Sequence, residues 1–89
     1  MKITLFYFAR LKETLKYSTE EIEIPKSACE KGLSILQLKA YLAKRGDVWQ
    51  QMLLGKQKIR SAINHELVDD NAAISHGDEV AFFPPVTGG

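Results

Sequence analysis

One stretch of three-to-four periodicity stands between two groups of segments in which apolar and polar residues alternate. That arrangement confines the chain to a sheet with a helix laid across it. Ser34 followed by Gln37 has the spacing of a capping box, and Ile35, Leu38, Tyr41 and Leu42 then recur at helical intervals until Gly46 supplies a stop. Asp47 is placed to cap a second, shorter helix through Val48, Trp49, Met52 and Leu53, closed by Gly55, with Trp49 and Met52 in the core.

The flanking segments read as strands. Residues 2–8 set Ile3, Leu5 and Tyr7 against Lys2, Thr4, Phe6 and Phe8, a period of two that buries one side only. In residues 20–25, Ile22 and Ile24 alternate with Glu21 and Glu23 until Pro25 ends the run, so the first two strands suit an opening hairpin. Beyond the helices, residues 59–63 and 66–68 flank Asn64-His65, a two-residue turn in which Asn tolerates positive φ, and Gly77-Asp78 leads into a last strand at 79–83. The order is strand, strand, helix, short helix, strand, strand, strand. It gives an α+β class with a main helix packed on one face, compatible with a β-grasp; the pattern by itself leaves other α+β topologies open.

Size and charge narrow the function. At 89 residues with 45% hydrophobic content there is enough material for one core and no second domain. Twelve basic against eleven acidic residues leave a formal charge of +1, which argues against a general nucleic-acid or anionic-membrane binder. Cys29 is the single cysteine, and His65 and His76 stand far apart, so neither an intrachain disulfide nor a zinc-ligand spacing arises. The opening run before Arg10 is a poor signal peptide, and no stretch approaches the roughly 18 apolar residues of a membrane span. A cytoplasmic protein is the expectation. No phosphate loop, dinucleotide fingerprint or set of nucleophile, base and orienter is recognisable, so nucleotide chemistry falls to other proteins.

The remaining reactive group is the end of the chain. Gly88-Gly89 follows Phe82-Phe83-Pro84-Pro85-Val86-Thr87, and glycine without a Cβ enters channels too narrow for other residues. Pro84-Pro85 favours an extended path, from which Val86 to Gly89 reach roughly 13 Å at about 3.3 Å per residue. A frayed terminus of no consequence is the other reading of two glycines.

The run from Gly77 through Asp78-Glu79-Val80-Ala81-Phe82-Phe83-Pro84-Pro85-Val86-Thr87 to Gly89 closely resembles the C-terminus of the small, sulfur-carrying subunits of molybdopterin synthase. Phe8-Ala9-Arg10-Leu11-Lys12-Glu13 and Ala62-Ile63-Asn64 resemble that family as well, so the similarity extends from the first strand to the last. The resemblance implies a ubiquitin-like β-grasp over residues 1–85 with a flexible tail at 86–89. It implies that an adenylating enzyme similar to ubiquitin activators uses ATP on the carboxylate of Gly89, and that a sulfur donor protein converts the adenylate to a thiocarboxylate. The large synthase subunit then takes in the tail and passes its sulfur to a cyclic pyranopterin monophosphate, in an assembly of two large and two small subunits. No cofactor is bound by this chain on that reading, and catalysis lies in the large subunit.

Within a β-grasp, alternation assigns a docking face. If Val80 and Phe82 point inward, Ala81 and Phe83 point out, Phe6 and Phe8 face the same way, and Arg60, Ala62 and Leu67 share one side. The partner-binding candidates are therefore Phe83, Pro84, Pro85, Val86, Thr87, Ala81, Leu67, Phe8, Lys12 and Arg60, with Gly89 as the carrier atom's residue and Gly88 supplying freedom at the tail. A thiazole-pathway sulfur carrier, a ubiquitin-like protein modifier and a β-grasp binding module with an inert tail are the alternatives.

Overall fold

The computed structural model describes residues 1–85. Strand β1 (Lys2–Tyr7) buries Ile3, Leu5 and Tyr7 and turns Thr4 and Phe6 to the opposite face, as its alternation dictates. It pairs antiparallel with β2 (Thr19–Glu23), Phe6 lying opposite Thr19 and Lys2 opposite Glu23. The expected strand at 20–25 thus begins and ends earlier, because Pro25 leads directly into a 3₁₀ turn (Lys26–Ala28).

The connection between these strands is not a tight hairpin. It holds a helix, α1 (Arg10–Leu15), that the periodicity did not announce. Only two apolar residues define it: Leu11 and Leu15, one helical turn apart, are both buried, while the residues between them are exposed. Next come β3 (Leu33–Ser34), α2 (Ile35–Ala43), α3 (Asp47–Leu54), β4 (Arg60–Ile63), β5 (Glu66–Val68), β6 (Ala73–Ile74) and β7 (Glu79–Phe83). β3 and β6 form a separate two-stranded pair, Leu33 opposite Ile74.

The main sheet has five strands in the order β2-β1-β7-β4-β5, in which β1 and β7 run parallel and every other pairing is antiparallel. This is the expected α+β, ubiquitin-like β-grasp, with helices on one side of a mixed sheet. The last described strand therefore lies in the middle of the sheet, held on both edges by ladders. Around Asn64-His65, both with positive φ (50° and 72°), Ile63 meets Glu66 and Ala62 meets Leu67, the register read from the two-residue turn.

The capping box at α2 is complete: Gln37 N donates to Ser34 Oγ at 3.1 Å, and Ser34 N donates to Gln37 Oε1 at 2.8 Å. Ile35, Leu38 and Leu42 project from this helix into one cluster with Ile3, Leu5, Val80 and Phe82, all of them buried. Trp49 and Met52 on α3 are half-buried against that cluster.

Two details of α3 differ from expectation. Asp47 does not cap it: Gly46, at φ 150°, occupies the cap, no side chain bonds there, and Asp47 is the first helical residue, where its charge complements the helix dipole. Gly55 does close the helix, but at φ −78° and not in the left-handed conformation. The reason for glycine is space, since a Cβ there would stand 2.2 Å from the Gln51 carbonyl oxygen.

Candidate functional site

The site is built outward from β7. Its alternation seals Val80 and Phe82 completely in the core and leaves Ala81 and Phe83 half-buried on the other face. Register extends that face across the sheet. Phe6 on β1 and Ala62 on β4 flank Ala81, Leu67 on β5 lies beyond Ala62, and Arg60 lies beside Phe83. Phe6, Ala81, Ala62 and Leu67 thus make one apolar row running over four strands, with Phe83 and Arg60 forming the next row toward the end of β7.

Leu67 is 58% exposed and Phe8 is 49% exposed, high values for large apolar side chains. Phe8 lies just past β1 and its N–H donates to Phe82 O at 3.1 Å, which fixes it at the point where β7 ends. Pro84 and Pro85, which continue β7, are half-buried. Arg60 is exposed at the edge of the patch, and Lys12 is exposed on α1, away from the row itself. Val86, Thr87, Gly88 and Gly89 lie outside the described residues. The structure thus brings together Phe8, Leu67, Ala81, Phe83 and Arg60, and it adds Phe6 and Ala62 at the centre of the same face.

A protein-family model described as the ThiS family matches residues 5–89. The chain belongs to the ThiS family. This ThiS-family chain is 34% identical over 87 residues to the molybdopterin synthase sulfur carrier subunit of Haemophilus influenzae, an alignment covering 98% of this chain and 99% of that protein. It is 33% identical to the protein of the same description from Escherichia coli, again over 98% of this chain and 99% of the other. Among solved structures, it superposes with a TM-score of 0.62 on a chain from the complex of subunits 1 and 2 of molybdopterin-converting factor from Helicobacter pylori, at 23% identity and over the full length of both. It also superposes with a TM-score of 0.75 on small archaeal modifier protein 1 of H. volcanii, at 21% identity over 96% of this chain and 98% of that one. At those identities the two structures establish a common fold.

Behind β7, the ThiS-family core carries a polar network that periodicity did not reveal. The Tyr7 hydroxyl donates to Glu20 Oε2 at 2.8 Å, and Arg45 grips the same carboxylate with both guanidinium nitrogens, at 2.7 and 3.0 Å. The Arg45 guanidinium lies 4.5 Å from the centre of the Trp49 ring, and the Tyr7 ring stacks on Phe82 at 6.1 Å between centroids. Burial, reinforced by the hydrogen bond to Glu20, pushes the Tyr7 hydroxyl far above the usual phenol range. Tyr7 is therefore a fixed donor and not an acid. Its place at the end of a period-two strand was visible in the sequence; its partners, 13 and 38 residues away, were not.

Among the described residues no group of His, Cys, Asp and Glu is disposed to hold a metal ion, and no helix is long and apolar enough to cross a membrane. An open hollow of about 820 Å³ lies between β4, β5 and residues 69–72, where Lys58, Arg60, Asp69 and Asp70 line it without a nucleophile and base in contact. What the geometry offers is an apolar face continuous with the strand that leads into the tail.

Proposed function

We propose that the chain is the sulfur-carrier subunit of a molybdopterin synthase, working in the cytoplasm. The observation that carries this reading is the identity to two such subunits across virtually the whole chain, with a family match that runs through Gly89. The fold supports it, because β7 couples the outer apolar face directly to the residues that precede the tail.

In the proposed cycle, an adenylating enzyme transfers AMP from ATP to the Gly89 carboxylate, releasing pyrophosphate. The carboxylate is a poor electrophile, whereas the mixed anhydride is a good one. Sulfur at the sulfide oxidation level, supplied by a donor protein, attacks the acyl carbon and displaces AMP, leaving a thiocarboxylate whose sulfur is the better nucleophile. The large synthase subunit then holds the tail beside a cyclic pyranopterin monophosphate, and sulfur transfer becomes effectively intramolecular. This chain binds no cofactor of its own in the cycle; ATP belongs to the adenylating enzyme and the pterin pocket to the large subunit. Phe83, Ala81, Leu67 and Phe8 supply apolar contact with the partners, Pro84 and Pro85 stiffen the exit, Val86 and Thr87 line the channel, and Gly88 admits the narrow end. Lys12 and Arg60 meet polar groups on the rim.

Deleting Gly89, or adding one residue after it, tests the assignment of the reactive atom. We expect sulfur delivery to be abolished while the thermal unfolding midpoint stays unchanged, since the core cluster among the described residues runs from Ile3 to Phe82. Sulfur transfer surviving in either variant would contradict the proposal. Thiazole formation, or attachment to protein lysines, in place of dithiolene formation would assign the carrier to another pathway.

A further inference from the structure

The formal charge of +1 hides a strong asymmetry along the sheet. Five exposed cations bracket the end of β7. Arg10 and Lys12 come from α1, which follows β1, and Lys56, Lys58 and Arg60 come from the segment that enters β4. The pairing of Arg60 with Phe83 and the hydrogen bond from Arg10 Nη1 to Gln57 Oε1 at 3.0 Å bring the two segments to the same end of the sheet. Three carboxylates lie near them: Glu13 on α1, and Asp69 and Asp70, which line the hollow beside Lys58 and Arg60, Asp70 being engaged by Lys39; among the described residues none of the five cations has a carboxylate within ion-pair distance.

The opposite end carries Asp78 and Glu79 at the start of β7 and Glu66 beyond the β4–β5 turn. The positive groups near it are already engaged: Lys2 pairs with Glu21 and the N-terminus with Glu23, each at 3.4 Å. Cations that serve only solubility would be distributed or paired, as these are. Lys16, Lys26, Lys31 and Lys44 are also exposed without an ion pair but are scattered along the chain, whereas these five gather where β7 ends.

We propose that Arg10, Lys12, Lys56, Lys58 and Arg60 form a basic collar that recognises a rim of carboxylates around the channel by which the adenylating enzyme receives the tail. This rests on the carrier reading and adds the chemistry of the partner surface to it. Exposed charges at an interface edge act on encounter more than on final affinity, so the collar sets the association rate and points the positive end, with its tail, toward the channel. With a net charge of only +1, orientation comes chiefly from this dipole.

The test measures association and dissociation rates of the full-length carrier with its adenylating enzyme, together with conversion of Gly89. Raising salt from about 10 mM to about 0.15 M shortens the Debye length from about 30 Å to about 8 Å. We expect the association rate to fall about tenfold over that range and the dissociation rate to change little. The pair Lys56→Glu and Lys58→Glu should slow association about tenfold at low salt and remove most of the salt dependence. Glu66→Lys, at the far end, should leave association within about twofold of the wild type. Salt-independent association of a carrier that is still converted, or an unchanged rate for the double variant, overturns the collar and leaves the carrier reading standing. A double variant that associates normally but needs more ATP overturns it too, by assigning the cations to the nucleotide phosphates. Failure of the wild type to bind or be converted overturns the carrier reading, and the collar with it.

Discussion

Tyr7 does two jobs at one position: its ring stacks against Phe82 in the core, and its hydroxyl donates to Glu20 Oε2, the oxygen it shares with one nitrogen of the Arg45 guanidinium while the other nitrogen holds Oε1. Removing the hydroxyl in Tyr7→Phe keeps the ring and deletes a charge-assisted bond, for a loss of ~1.5 kcal/mol at neutral pH. The sign with pH follows from the raised folded-state value. A phenol held protonated in the fold contributes its stability below the unfolded value of about 10, and the contribution declines as pH rises beyond that. Urea unfolding at several pH values should therefore show the gap between wild type and Tyr7→Phe constant up to about pH 10 and narrowing above it. A gap that widens there would mean that Tyr7 ionises readily in the fold.

Among the elements, α2 shows how a buried charge can tie a helix to a loop. Lys39 faces inward, and its ammonium donates to Ile59 O at 3.2 Å and to Asp70 Oδ1 at 2.8 Å, while the Asp70 side chain remains 40% exposed. The two partners are thus unequal. Asp70→Ala leaves an ammonium in the interior with one carbonyl for company and should cost ~2 kcal/mol, whereas Lys39→Met replaces the buried charge with an apolar chain and leaves Asp70 to water, for a smaller loss. Denaturant midpoints of the two variants decide it; equal losses, or the reverse order, would contradict the account. The periodicity of α2 and its capping box were readable in the sequence because Ser34, Gln37 and the spaced leucines state both the start and the buried side. α1 was not, since Leu11 and Leu15 alone do not make a period, and two-residue strands such as β3 and β6 are too short to alternate. Lys39 escaped for a different reason: a lysine within a helical pattern reads as solvated until its distant partner is known.

At the scale of the whole molecule, the strand order places the last described strand at the centre of the sheet, so the outer apolar face is built on the same strand that runs on to Pro84 and Pro85. Alternation gave Ala81, Phe83, Arg60 and Leu67 their side of the sheet correctly, because a period of two leaves no other assignment once Val80 and Phe82 are inside. The charge asymmetry was not legible, since Arg10 and Gln57, whose hydrogen bond joins the two basic segments, are 47 positions apart and meet only in the folded chain. On the proposed function, the fold serves to present Gly89 to other proteins. Intact mass spectrometry of the chain after incubation with its adenylating enzyme, ATP and a sulfur donor tests that directly. The account predicts a gain of about 16 Da, one oxygen replaced by sulfur, localised to Gly89; an unchanged mass with an adenylating enzyme proven active on another carrier would contradict it.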